Sequence, residues 1–301
     1  MGYSSLLECI KDLEKNGHLI RIKEEVDPNI DIATYHLDEF RKQGKALLFE
    51  NVKGSKYPAV SNLYGTLERS NFIFRDSINK VKKLINLKIY PINGFKNPLS
   101  SLQSTFYALN ALPKKVSLPK YFEEISISDL PQIKCWPDDG GSFITLPQVF
   151  SEDVNNPGIM NSNLGMYRIQ ISGNDFIKNE EIGIHYQIHR GIGIHQKRAI
   201  EKGVPLKVSI FVGGPPAHTF SSVMPLPDNM SELTFAGILG AKRFRYSVVD
   251  GYTISADADF VICGEISNDL KPEGPFGDHL GYYSLKHDFP YLKVKKVLAK
   301  K

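Results

Sequence analysis

After about residue 115, this 301-residue chain becomes a succession of short apolar runs cut by Pro and Gly turns. The runs lie in LPQIKCWPDDGGSFITLPQVF, GMYRIQISG, PLKVSIFVGG, RFRYSVVDG, DFVICGEI and YLKVKKVL. Short strands at regular spacing with turn residues between them indicate an antiparallel barrel or sandwich. Two helices interrupt the pattern, near 195–203 and near 231–240, with Ser231 as N-cap of the second.

The first 115 residues read differently. Leu6, Leu7, Ile10 and Leu13 recur at helical spacing before Gly17, and HLIRI (18–22) then reads as a strand. Ile32, Ala33, His36, Leu37 and Phe40 form a second amphipathic stripe, followed by the strands ALLFE (46–50) and YPAVSNLYG (57–65). The region 69–87 reads as helix, and YPINGFKNPLSS (90–101) as a linker or surface excursion. The expected organisation is α+β, with an N-terminal α/β domain over 1–115 and a β-rich domain over 116–301.

Composition narrows the function class. The net charge is only +4, with Lys gathered at 80, 82 and 83 and again at 293, 295, 296, 300 and 301. That mild excess suits an anionic small molecule rather than nucleic acid. Cys9, Cys135 and Cys263 are scattered and odd in number, which argues against a disulfide framework or thiolate zinc site and for a reducing cytoplasm. MGYSSLLECIKDLEKNG is not a signal peptide, Leu6 stands where a myristoylation motif needs Ser or Thr, and no apolar run is long enough to span a membrane.

PEGPFGDHLGYY (272–283) places Glu273 and Asp278 around Gly274, Pro275 and Gly277. Pro275 fixes its own φ, and the glycines permit conformations closed to other residues, so a shaped loop holding two acids is expected. Acids sharing a site have their pKa values driven apart, which makes an acid/base pair possible. A solvated turn is the plain alternative.

Other segments carry suitable residue types. NSNLGMYRIQISG offers Asn163 and Arg168, and a guanidinium just past a turn can pair bidentately with a carboxylate. IHYQIHRGIGIH holds His185, His189, Arg190 and His195, so a metal site arises as a reading, although the spacing lacks the metalloprotease Glu. GGPPAHTFSSVMPLPD (213–228) is a loop whose free N–H groups could approach a planar or phosphorylated ligand, without a nucleotide fingerprint. Glu232 falls in the first turn of a helix, where a dipole or capping role is the plain alternative. IKCWPDDGGSFIT, with the only Trp, reads as packed strand-turn-strand without obvious chemistry.

Taken in order, IKCWPDDGGSFIT, NLGMYRIQ, HRG, MPLPDNMSELTFAG and PEGPFGDHLGYY resemble the UbiD family of decarboxylases, which use prenylated FMN. The likeness runs from about residue 130 to 293, with NLYGTLERS (62–70) as looser support. It implies a central split β-barrel of the flavin-reductase-like type and a catalytic network at Arg168, Glu273 and Asp278. It also implies a divalent ion, Mn²⁺ or Mg²⁺, held between the cofactor phosphate and Asn163, His189 and Glu232, with K⁺ as an accompanying ion. The register among His185, His189 and His195 stays open. Met166, Tyr167, Arg168, Arg190, Ser222, Met224 and Pro225 match positions that line the flavin. A flavin prenyltransferase would supply the cofactor.

Relatives of this kind continue past the equivalent of YLKVKKVL into a C-terminal α/β domain that builds much of the oligomer. Its absence here leaves a short, a split or a truncated form open, and a homo-oligomer or separate partner subunit is expected. The leading expectation is reversible decarboxylation of an aromatic or α,β-unsaturated acid. The alternatives are a cofactor-binding subunit that needs a partner chain, and a metal-dependent hydrolase built on His185, His189, His195 and Asp278.

Overall fold

The computed structural model describes residues 2–82, 109–226, 231–278 and 280–301. Ser5 starts the first helix, its hydroxyl accepting the Glu8 N–H at 3.2 Å, and Leu6–Lys15 buries Cys9, Ile10 and Leu13. Gly17, at φ 76°, takes the left-handed position that ends it. Strand Leu19–Val26 pairs parallel with Ala46–Val52, and a parallel pair needs a crossover, which helix Asp31–Arg41 supplies. Ala59–Ser61 adds to this layer antiparallel, and Thr66 caps helix Leu67–Ile73. The linker expected at 90–101, and the end of the helix expected to reach 87, lie outside the described residues.

The β-rich part is built, among the described residues, on a nine-stranded sheet. Its order is Phe143–Ile144, Ile169–Gln170, Glu181–Ile184, His287–Lys300, Phe260–Glu273, Leu206–Val212, Gln148–Glu152 and Ser162–Gly165, with Phe122–Glu124 also on His287–Lys300. Every pairing within it is antiparallel. Among the described residues this ladder runs from one edge to the other without closing, so the closed form of the expected barrel is not what forms. Both ends are short strands, of two and four residues, and no pairing among the described residues joins them.

Two 14-residue strands, Phe260–Glu273 and His287–Lys300, form the spine. Their register breaks between Cys263 and Gly264 and between Ile266 and Leu270, and such bulges bend a ladder. The strand expected to end with DFVICGEI runs on, so Glu273 is its last residue, opposite His287, and the loop begins at Gly274. Pro272 is tolerated because the other neighbour, Leu206–Val212, stops pairing at Ile266. Beyond that point one side of the strand has no ladder to supply.

Ile169, Ile182, Ile184, Ile262 and Leu292 pack together in one apolar cluster against the sheet. A second cluster joins Cys9, Ile10 and Leu13 to Phe235, Ile238 and Leu239. The N-terminal layer therefore shares its core with helix Glu232–Leu239 and fixes where that helix begins. Helix Pro216–Ser221 stands inside the segment expected to be a loop, with Ala217 in the same cluster.

Candidate active site

Strand register assembles the acidic end of the site. Gln170 lies opposite Gly183, and the ladder continues until the His185 N–H donates to the Arg168 carbonyl at 3.2 Å. Gly183 in turn faces Tyr291, so two residues further His185 reaches Phe289, with ring centroids 4.1 Å apart. Phe289 faces Lys271, and Glu273 is two residues along the same face. Side chains from four strands thus converge.

Arg168 Nε donates to Glu273 Oε1 at 2.8 Å and Nη2 to Oε2 at 2.6 Å, a bidentate pair. The guanidinium also lies over the Phe276 ring at 4.9 Å. Glu273 is 1% exposed and Arg168 18%. Burial acts to raise the Glu273 pKa, but the hydrogen bonds with His185 and Arg168 and the Arg168 charge outweigh it and hold the carboxyl below its ordinary value. His185 Nδ1 stands 3.2 Å from Glu273 Oε2 and 3.1 Å from Arg168 Nη2.

The loop after Glu273 is held by groups that carry no obvious chemistry in the sequence. Gln170 Oε1 accepts the Gly274 N–H at 2.9 Å, and Asn174 Nδ2 donates to the carbonyls of Pro272 and Gly274. The Gly140 N–H donates to the Pro275 carbonyl at 2.8 Å, and Asp139 accepts both the Gly277 and Trp136 amides. A Cβ on Gly140 would stand 2.1 Å from the Gly274 oxygen, and one on Gly277 2.1 Å from the Trp136 ring. CWPDDGG is therefore the bed on which the acidic loop rests. The sequence signal was its Gly pair beside an acid, but its counterpart is more than a hundred residues away.

Asn163 and Glu232 form a second group. Ser231 caps its helix as expected, accepting the Leu233 N–H at 3.2 Å, which aims Glu232 at the strand holding Asn163. Glu232 Oε2 accepts the Leu164 N–H at 3.3 Å, and Asn163 Nδ2 reaches the Tyr167 hydroxyl at 3.4 Å. Burial pushes the Glu232 pKa up, and only main-chain amide hydrogen bonds act against it. A Cβ on Gly191 would lie 2.1 Å from Asn163 Oδ1, so any side chain there would displace Asn163 from the start of helix Gly191–Lys202. His189 and Arg190 occupy the exposed turn leading into that helix, immediately before the Gly191 that packs on Asn163. The Met166 N–H donates to the Ser222 carbonyl at 3.0 Å, which ties Ser222 to the same region, while Met224 packs against the second apolar cluster.

The three histidines part company. His185 joins Arg168 and Glu273, His195 is buried against Ser151 Oγ at 2.9 Å, and His189 is exposed. Among the described residues no three His, Cys, Asp or Glu side chains are placed to hold a metal, so the hydrolase arrangement on His185, His189, His195 and Asp278 does not form. The reason is local: His195 points inward from a helix whose apolar face is buried. Asp278 is part-buried in the turn beyond Phe276–Gly277, its N–H donating to the Tyr282 carbonyl at 2.8 Å.

Residues 112–301 match the family model described as the 3-octaprenyl-4-hydroxybenzoate carboxy-lyase Rift-related domain, UbiD, and residues 10–88 match the corresponding N-terminal domain. The chain belongs to the UbiD family. It is 38% identical over 309 residues to a Chlamydia pneumoniae protein named as one of the subunits of 4-hydroxybenzoate decarboxylase, covering 99% of this chain and 51% of that one. An uncharacterized protein of Chlamydia trachomatis is 36% identical over 311 residues, with 99% and 52% covered. The vanillic acid decarboxylase of Sedimentibacter hydroxybenzoicus, in closed form, superimposes with TM-score 0.81 at 26% identity, over all of this chain and 63% of that one. An evolved dimeric form of the UbiD-class enzyme HmfF from Pelotomaculum thermopropionicum, in complex with prFMN, shares the fold at TM-score 0.79 and 24% identity, over 99% and 66%. This UbiD chain spans about half the length of the curated relatives it matches. No helix among its described residues is long and apolar enough to cross a membrane.

Proposed function

We propose that this UbiD-family chain carries the flavin-binding and proton-handling half of a prenylated-FMN-dependent decarboxylase for an aromatic or α,β-unsaturated acid. The observation that carries the reading is the bidentate Arg168–Glu273 pair, buried at the mouth of a rigidly held loop. Paired with a ligand-type group at Asn163 and Glu232, it matches the two ends of a site that takes an anionic cofactor and an anionic substrate.

The residues fit a phosphate-bearing flavin. Glu232 is a carboxylate met only by amides, Asn163 offers an amide oxygen, and His189 adds an imidazole from the next turn. Such a mainly oxygen donor set suits Mn²⁺ or Mg²⁺, which would neutralise the buried acid and favour an anionic cofactor beside it, with K⁺ as a further ion. Arg190, at the start of helix Gly191–Lys202, favours the same anion. Met166, Tyr167, Ser222, Met224 and Pro225 would line the ring system, in the split-barrel arrangement. When bound, the prenylated flavin supplies the electron sink that allows loss of CO₂.

Arg168 would bind the substrate carboxylate with its exposed edge. A second carboxylate competing for that guanidinium weakens its hold on Glu273, which moves Glu273 toward the protonated form when an acid is needed. Glu273 then donates to the carbon that has lost CO₂, with Asp278 completing the acidic set. Leu280, Tyr282 and Leu285 are exposed beside this loop, and a partner subunit or a second copy would cover them. A cytoplasmic enzyme is the matching setting. The test is co-expression with a flavin prenyltransferase followed by solvent-deuterium exchange into candidate aromatic products. Bound prenylated FMN with exchange supports the reading, and a chain that binds no flavin refutes it.

A further inference from the structure

Counting the donors of Arg168 shows what it has left for a ligand. Glu273 takes the side of the guanidinium that carries Nε and Nη2. Because the group is planar, the second Nη2 hydrogen then points along the outer edge, beside Nη1. His185 stands at that edge, its Nδ1 3.1 Å from Nη2. Nη1 has no partner among the described residues and is not one of the buried atoms left unsatisfied, so it is open to a ligand. A carboxylate arriving there meets Nη1 but not the usual second prong, because His185 occupies it.

His185 carries the missing donor. Its Nδ1 faces Arg168 Nη2 and, at 3.2 Å, Glu273 Oε2, so Nε2 on the far side of the ring is the nitrogen left over. Nε2 has no partner among the described residues and is not buried, in a side chain 30% exposed. When Nδ1 accepts from Arg168 the ring hydrogen sits on Nε2, and an imidazolium carries one there as well. Phe289 packs on the ring at 4.1 Å and Phe276 lies 4.9 Å from the guanidinium, so apolar surfaces hold both donors in place.

We propose that His185 is a substrate-binding residue, its Nε2–H taking one oxygen of the substrate carboxylate while Arg168 Nη1 takes the other. This rests on the functional reading above, in which Arg168 meets that carboxylate. Two donors from neighbouring strands fix the direction of the carboxylate as well as its charge, and so orient the bond that breaks.

The experiment measures dissociation constants of benzoate, cinnamate and sorbate, and of their amides, on protein loaded with FMN, which lacks the prenyl group and so binds acids without turning them over. His185→Ala should weaken the acids by about 10–10²-fold, the weight of a hydrogen bond to a charged group, and the amides by less than about 3-fold. His185→Gln keeps an N–H at the end of its side chain and should recover to within about 5-fold of wild type. Unchanged acid binding in His185→Ala, or acids and amides weakened alike, overturns the proposal. If the loaded wild type binds none of the acids, the functional reading falls and the proposal with it. Should the variants fail to fold, a crystal structure of the wild type with benzoate decides. A carboxylate oxygen within hydrogen-bond reach of His185 Nε2 is expected, and a carboxylate held by Arg168 alone contradicts the proposal.

Discussion

Replacing Arg168 by Met isolates the pair at the centre of the site. Methionine keeps an apolar stem beside Phe276, but both hydrogen bonds to Glu273 disappear. Removing one member of a buried ion pair costs about 3–5 kcal/mol when the other charge stays buried. The loss has a ceiling, because the stranded carboxyl takes up a proton once holding its charge costs more. From an unfolded glutamate value of about 4.3, that ceiling at pH 7 is about 3.7 kcal/mol. His185 remains as a partner and Arg168 is 18% exposed, so a loss of about 2–3.5 kcal/mol is expected at pH 7.

The pH dependence should reverse sign. In the wild type the folded Glu273 pKa lies below its ordinary value, so its stabilisation is full above that value and lost as pH falls through the folded pKa. In Arg168→Met the folded pKa rises, the folded state binds the proton more readily, and stability declines as pH rises, by at most about 1.4 kcal/mol per unit. The variant's penalty should therefore shrink to at most about 1 kcal/mol at pH 5, and the gap between the proteins should narrow with it. Urea unfolding at pH 5, 6, 7 and 8 measures it. A gap below about 0.5 kcal/mol that does not change with pH would mean the pair is no more than a surface contact, and the electrostatic argument would fail.

Glu273→Gln should keep near-normal flavin content while turnover drops on the order of 10²-fold or more, and unchanged deuterium exchange would move the acid role to Asp278. Glu232→Ala removes the carboxylate beside Asn163, so flavin and divalent metal should fall together by mass and metal analysis; full retention of both would show that the ligand group lies elsewhere. Gly140→Ala forces a Cβ onto the Gly274 carbonyl, so a loss of about 1–3 kcal/mol in urea unfolding and slower turnover with flavin retained are expected. An unaltered enzyme would mean that the acidic loop does not depend on this contact.

Much of the fold was legible wherever one element suffices to declare itself. Ser231 caps the helix it precedes, as its place before the apolar run suggested, and the N-terminal layer follows its apolar stripes. Arg168, Glu273, Asn163 and Glu232 could be picked out because their motifs pair unusual residue types with Gly or Pro. What stayed hidden depends on register between distant strands. His185 meets Glu273 only because Gln170 faces Gly183 and Gly183 faces Tyr291, and no local pattern announces those pairings. The bed formed by Trp136, Asp139 and Gly140 is invisible for the same reason. The segment from Pro272 onward was expected to be loop, whereas Pro272 and Glu273 still lie on the strand, where it has lost one neighbour.

The central claim is that these residues build a site for prenylated FMN. The most direct measurement is to produce the chain with and without a flavin prenyltransferase, then record its absorbance and the mass of any released cofactor. The account expects a coloured protein that releases prenylated FMN at close to one per chain when the prenyltransferase is present, with Glu232→Ala largely colourless. A wild-type chain that folds but stays colourless, with no flavin mass under either condition, would contradict it.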